Sequence, residues 1–120
     1  MDDAEIPVLQ PPRELTLATL PIFERVTQDY REGETRDLVL DLAGVHTISS
    51  AGFGHLVQVG RRLGERGGVL VLACGSRRVV RLLAMLGLDA VIPHFPTVKA
   101  ARAWLRERGA GTPGRDARTS

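Results

Sequence analysis

Aromatic side chains are scarce in this chain, with three Phe, one Tyr and one Trp in 120 residues. Base-stacking nucleic-acid modules depend on aromatic platforms, so direct nucleic-acid binding is not expected. Cysteine is nearly missing too. The single Cys74 excludes an internal disulfide, and its place at the end of an apolar run gives it the reading of a buried, inert thiol. No apolar run approaches the ~20 residues of a membrane span, so no membrane insertion is expected. Met1 is followed by Asp2, Asp3 and Glu5 rather than by a basic stretch and an apolar one, which points away from a secretory signal and toward a cytoplasmic site. Lysine is reduced to Lys99, every other cation being Arg. Charge is uneven along the chain: residues 1–60 hold four Arg against ten acids, a net −6, and residues 61–120 hold twelve cations against four acids, a net +8. Because these cations fall on several expected elements, they do not form one basic stripe of the kind a nucleic acid requires.

What is present suits one soluble α/β domain, with 43% hydrophobic and 25% charged residues in a length that supports a single core. The chain is organised around Asp41 to Gly54, DLAGVHTISSAGFG. Before it, Leu38, Val39, Leu40 and Leu42 make a short run suited to a strand buried on both faces. After it, Phe53, Leu56, Val57, Gly60 and Leu63 form one helical stripe, with His55, Gln58, Arg62, Glu65 and Arg66 on the opposite face. A strand thus hands over to a helix at Ser49 and Ser50. The first N–H groups of a helix lack internal partners and carry partial positive charge, so this junction is where function is sought.

The same residues resemble the signature of STAS domains, the fold of bacterial anti-sigma-factor antagonists. In that signature a strand ending in Asp-Leu leads through a loop to Asp-Ser-Ser-Gly-Leu-Gly at a helix start, and here those six positions read Ser49, Ser50, Ala51, Gly52, Phe53, Gly54. The likeness runs from about Glu14 to Leu105. It implies a STAS-like mixed β-sheet of four or five strands with about four α-helices, in a domain at residues 1–108; beyond Gly109 the composition turns to Gly, Pro, Arg, Thr and Ser, so a disordered C-terminal tail is expected at 109–120. It also implies a non-enzymatic regulator that binds an anti-sigma factor or serine kinase through Ser49, Ser50, Ala51, Gly52, Phe53, Gly54 and His55. In phosphorylatable members the second Ser of the signature accepts phosphate; Ala51 occupies that position, leaving Ser50 as the candidate phosphoacceptor. Two other roles known for STAS domains stay open. One is the cytosolic accessory subunit of a phospholipid-transport ABC complex, facing an ATPase, and the other is a domain binding a small ligand or nucleotide.

The remaining elements follow from local signals. Ile6, Val8 and Leu9 suggest a brief edge strand ended by Pro11 and Pro12, and Glu14–Thr19 leads into a helix from Pro21 with Leu20, Phe23, Val26, Thr27 and Tyr30 on one stripe. Gly67 and Gly68 close the central helix, and Val69–Ala73 gives a second buried strand, parallel to the first through a right-handed crossover. Ser76 is the expected cap of a helix that buries Val79, Val80, Leu82, Leu83 and Leu86 and turns Arg77, Arg78 and Arg81 outward. Val91 and Ile92 are read as the start of a last strand, and Thr97 as the cap of a final helix with Val98, Ala101, Trp104 and Leu105 inward.

Chemistry-bearing residues have ordinary structural readings. Ser50 is read as the helix cap. Gly52 and Gly54 are read as bordering an exposed first turn open to a partner, and Gly60 as the residue that seats the helix close to the sheet. His46, His55 and His94 lack metal-site spacing and are read as surface histidines, and Asp41 as a hydrogen-bonded loop carboxylate. Val57 stands where a dinucleotide motif needs its third Gly, no phosphate loop with Gly-Lys-Ser or Gly-Lys-Thr exists, and no acid, base and nucleophile converge. No metal, cofactor or enzymatic activity is implied.

Overall fold

The computed structural model of the chain describes residues 6–110. In chain order it contains β1 (Val8–Leu9), β2 (Glu14–Leu15), α1 (Leu20–Glu32), β3 (Asp37–Asp41), β4 (Thr47–Ile48), α2 (Ser50–Gly64), β5 (Val69–Ala73), α3 (Arg77–Met85), a 3-10 turn (Leu88–Ala90), β6 (His94–Phe95) and α4 (Val98–Ala110). Of the tail expected at 109–120, Gly109 and Ala110 instead close α4, and residues 111–120 lie outside the described residues.

Four strands form one sheet in the order β1-β3-β5-β6, and β2 pairs separately with β4. Every ladder among the described residues is parallel, where the sequence suggested a mixed sheet. β3 and β5 lie in register, Leu38 opposite Leu70 and Leu40 opposite Leu72. Their side chains alternate between two cores, as the period of two demands. Leu38, Leu40, Leu70 and Leu72 join Phe23, Leu56, Leu63 and Leu83 beneath α1, α2 and α3, whereas Val39, Val71 and Ala73 meet Ala101 and Leu105 of α4. Helices on both faces are why these strands read as unbroken apolar runs.

α2 is the central helix. Its inner face carries Phe53, Leu56, Val59 and Leu63, with Val57 only half buried. Gly67, at φ +81°, supplies the left-handed turn after it. Arg66, expected on the outer face, instead reaches back to α1, donating from Nη1 to the Arg31 carbonyl at 3.0 Å and from Nε to the Thr35 carbonyl at 2.8 Å. A cation there satisfies the carbonyls that a helix C-terminus leaves open.

Three local expectations are corrected. Gly60 does not seat the helix tightly, because a Cβ there would lie 3.8 Å from Leu70 Cβ and 4.0 Å from Ile92 Cδ1, ordinary contact distances. Leu86 is exposed at the end of α3, and Leu88 fills the core in its place once Gly87 turns the chain at φ +75°. Val91 and Ile92 close the 3-10 turn through their N–H groups to the Leu88 carbonyl, so the last strand begins later, where the Pro93 carbonyl accepts from the Leu72 N–H. Ser76 and Thr97 cap α3 and α4 as expected, accepting from the N–H groups of Val79 and Ala100.

Candidate functional site

The start of α2 is built by β2 and β4. β4 was not anticipated, being two residues that pair with Glu14–Leu15 and so fix the loop before the helix. Ser49 is the helix cap, correcting the assignment of that role to Ser50. Its backbone is extended (φ −92°, ψ 175°), and its hydroxyl accepts from the Gly52 N–H at 3.4 Å. The same residue donates twice to the Leu15 carbonyl, from its N–H at 2.8 Å and its hydroxyl at 3.2 Å. Ser49 is thereby spent on holding the helix start against β2.

Gly52 serves the same junction. It is buried, and a Cβ built on it would lie 2.3 Å from the Leu15 carbonyl oxygen and 2.9 Å from Leu15 Cβ. Phe53 turns into the core. His55 lies there too, contrary to its expected place on the outer face. Its Nε2 is 2.8 Å from the Thr27 hydroxyl, and its ring meets Phe23 edge-on at 4.7 Å between centroids. With the Thr27 proton directed at the Phe23 carbonyl at 3.0 Å, the neutral imidazole donates its Nε2–H to Thr27. Burial, reinforced by the nearby Arg31 charge, holds the His55 pKa below its ordinary value.

Of the seven residues picked from the motif, Ser50 and Gly54 are exposed and Ala51 partly so; Ser49 is half buried, and Gly52, Phe53 and His55 face inward. Gly54 has no neighbour within 4 Å of a built Cβ. Sequence reasoning missed two exposed apolar side chains. Leu17, between β2 and α1, is 73% exposed, and Ile22, in the first turn of α1, 55%. Their signal was present, since neither belongs to the buried stripe of α1.

Elsewhere, Asp41 behaves as a loop carboxylate, accepting from the Ala43 N–H at 3.0 Å and from Gln10 at 3.3 Å. Cys74 is buried, which raises its thiol pKa. His46 is exposed beside Arg13, and His94 is half buried in β6. Among the described residues no three His, Cys, Asp or Glu side chains are grouped to hold a metal ion, and no helix is long and apolar enough to cross a membrane.

The family model for the STAS domain matches residues 3–101, a span that includes this strand-loop-helix junction. The chain belongs to the STAS domain family. A Thermotoga maritima protein named "Putative anti-sigma factor antagonist" is 23% identical to this STAS domain over 105 residues, 87% of this chain and 93% of its own. A crystal structure under the same name from that organism superposes with a TM-score of 0.73 at 22% identity, covering 82% of this chain and 87% of the other. An anti-sigma-factor antagonist (STAS) domain protein from Planctomyces limnophilus gives a TM-score of 0.73 at 23% identity, covering 86% and 92%.

Proposed function

We propose that this STAS domain is an anti-sigma-factor antagonist, a non-enzymatic cytoplasmic protein that binds an anti-sigma factor through the exposed start of α2 and does so constitutively. The observation that carries the reading is Gly54. A glycine inside a helix costs about 0.5–1 kcal/mol against Ala, and here the cost has no internal return, since nothing lies within 4 Å of a Cβ at that position. Close approach of a partner's main chain supplies the return. The relatives' names support the role.

Regulation follows from chemistry at the adjacent positions. Ala51 has no hydroxyl, so the family's phosphate cannot form there. Ser50 is exposed at the first position of the helix, where a phosphate would add ~1.5–2 negative charges against open N–H groups. Constitutive binding requires that it stay unmodified. Ala51 also suits a second role, the accessory subunit of a phospholipid-transport ABC complex, which uses the same surface against an ATPase.

The full chain, tagged, is used for capture from a native lysate and then incubated with the captured kinase and ATP. Recovery of an anti-sigma kinase, lost with Gly54→Arg, and an absence of phosphate by mass spectrometry are the expected results. Recovery of a transporter ATPase instead selects the second role. Stoichiometric phosphate on Ser50, with binding lost in Ser50→Asp and kept in Ser50→Ala, would overturn constitutive binding.

A further inference from the structure

A second glycine of α2 poses a question that partner docking does not answer. Gly60 sits in the helix interior, and an Ala methyl there would make only ordinary contacts, at 3.8–4.0 Å, with Leu70 and Ile92. Packing therefore permits the better helix former. Gly60 borders a cleft of ≈ 240 Å³ between α2, the start of β5 and the turn that follows α3. Gly68, also on its wall, is different, because a Cβ there would collide with the Arg36 carbonyl at 1.6 Å. Of the two glycines on its wall, only Gly60 has room for a side chain.

The chemistry of the walls specifies an occupant. Val57, Leu70, Val91 and Ile92 line the cleft, and Val91 stands at its rim 68% exposed. Arg61 is the one charged lining residue; it is exposed and has no ion-pair or side-chain hydrogen-bond partner among the described residues. A 150 Å³ apolar cavity accommodates benzene, so by proportion this cleft holds about ten non-hydrogen atoms. That is too small for the two chains of a membrane lipid.

We propose that the cleft binds a free amphiphilic monocarboxylate of medium chain length, its tail covering Val91 and its carboxylate paired with Arg61. Apolar burial supplies the affinity, and the guanidinium, which matches a carboxylate with two parallel donors, fixes the orientation. This site lies on the C-terminal half of α2, so it stands or falls apart from docking at the helix start.

The test titrates octanoate, ten non-hydrogen atoms, into the ¹⁵N-labelled full chain and follows amide shifts. Saturable shifts are expected at Gly60, Arg61, Leu70, Val91 and Ile92, with half-saturation near ~1 mM, the range open to so small a ligand. Arg61→Gln and the use of neutral octanol in place of octanoate should each weaken binding about tenfold. Gly60→Leu fills the cleft and should abolish the shifts. If that variant melts below the wild type, Gly60→Ala takes its place and should weaken binding several-fold. No saturation by about 10 mM octanoate, ten times the expected midpoint, overturns the proposal, as do shifts that survive Gly60→Leu, equal binding of octanol, or shifts centred on Met85 and Leu86.

Discussion

Gly52 and Gly54 stand two residues apart in one helix and should respond in opposite directions to the same substitution. In Gly52→Ala the new methyl would start 2.3 Å from the Leu15 carbonyl oxygen, 2.9 Å from Leu15 Cβ and 3.0 Å from the Leu15 carbonyl carbon. None of these is the loose end of a flexible side chain. β2 has to withdraw by roughly 1 Å to restore van der Waals separation, and that strains both Ser49 bonds to the Leu15 carbonyl, now at 2.8 and 3.2 Å. Overpacking of this kind costs about 1–3 kcal/mol, and a weakened hydrogen bond about 1 more. The helix-propensity gain of Ala over Gly, about 1 kcal/mol, offsets part of this. The net loss is about 2 kcal/mol, which at about 4 °C per kcal/mol for a domain of this size lowers Tm by roughly 8 °C. In Gly54→Ala the methyl meets nothing, so only the propensity gain remains and Tm should rise by about 4 °C. Thermal unfolding followed by circular dichroism at pH 7 measures both. A Gly52→Ala variant as stable as the wild type, or a destabilised Gly54→Ala, would refute this account of the helix start.

Ser49→Ala should cost about 1–2 kcal/mol, since it removes the cap and a bond to β2, whereas Ser50→Ala should stay within about 0.5 kcal/mol; denaturant unfolding of the two variants distinguishes which serine caps α2. His55 should make stability depend on pH. Its folded pKa is lowered, so the unfolded chain takes up a proton first as pH falls below about 6.5, and the stabilisation present above that pH is lost on going down toward the folded pKa. Melting curves at pH 7.5 and 5.5 should show a larger acid loss for the wild type than for His55→Gln, and equal losses would exclude His55 as the source.

Periodicity and composition determined the skeleton. Continuous apolar runs at Leu38–Leu42 and Val69–Ala73 announced strands covered on both faces, and the 3.6-residue stripe through Phe53, Leu56 and Leu63 announced the helix between them, because burial of one face writes itself into the spacing of side chains. The motif at Ser49–Gly54 likewise marked the junction and the family. Local pattern could not say what faces each motif residue. Ser49 and Ser50 are equally good caps in sequence, and only the Leu15 carbonyl, 34 positions away in the chain, decides between them. Gly52 and Gly54 look alike until β2 is laid against one of them. His55 and Arg66 fall opposite the apolar stripe, yet α1 packs beside α2 and gives each a partner, Thr27 for the ring and helix carbonyls for the guanidinium. The physical reason is common to all four. Hydrogen bonds and close contacts between elements distant in sequence leave no periodic trace in either one, so whether a polar or small residue serves the interior or the surface is decided when the layers meet.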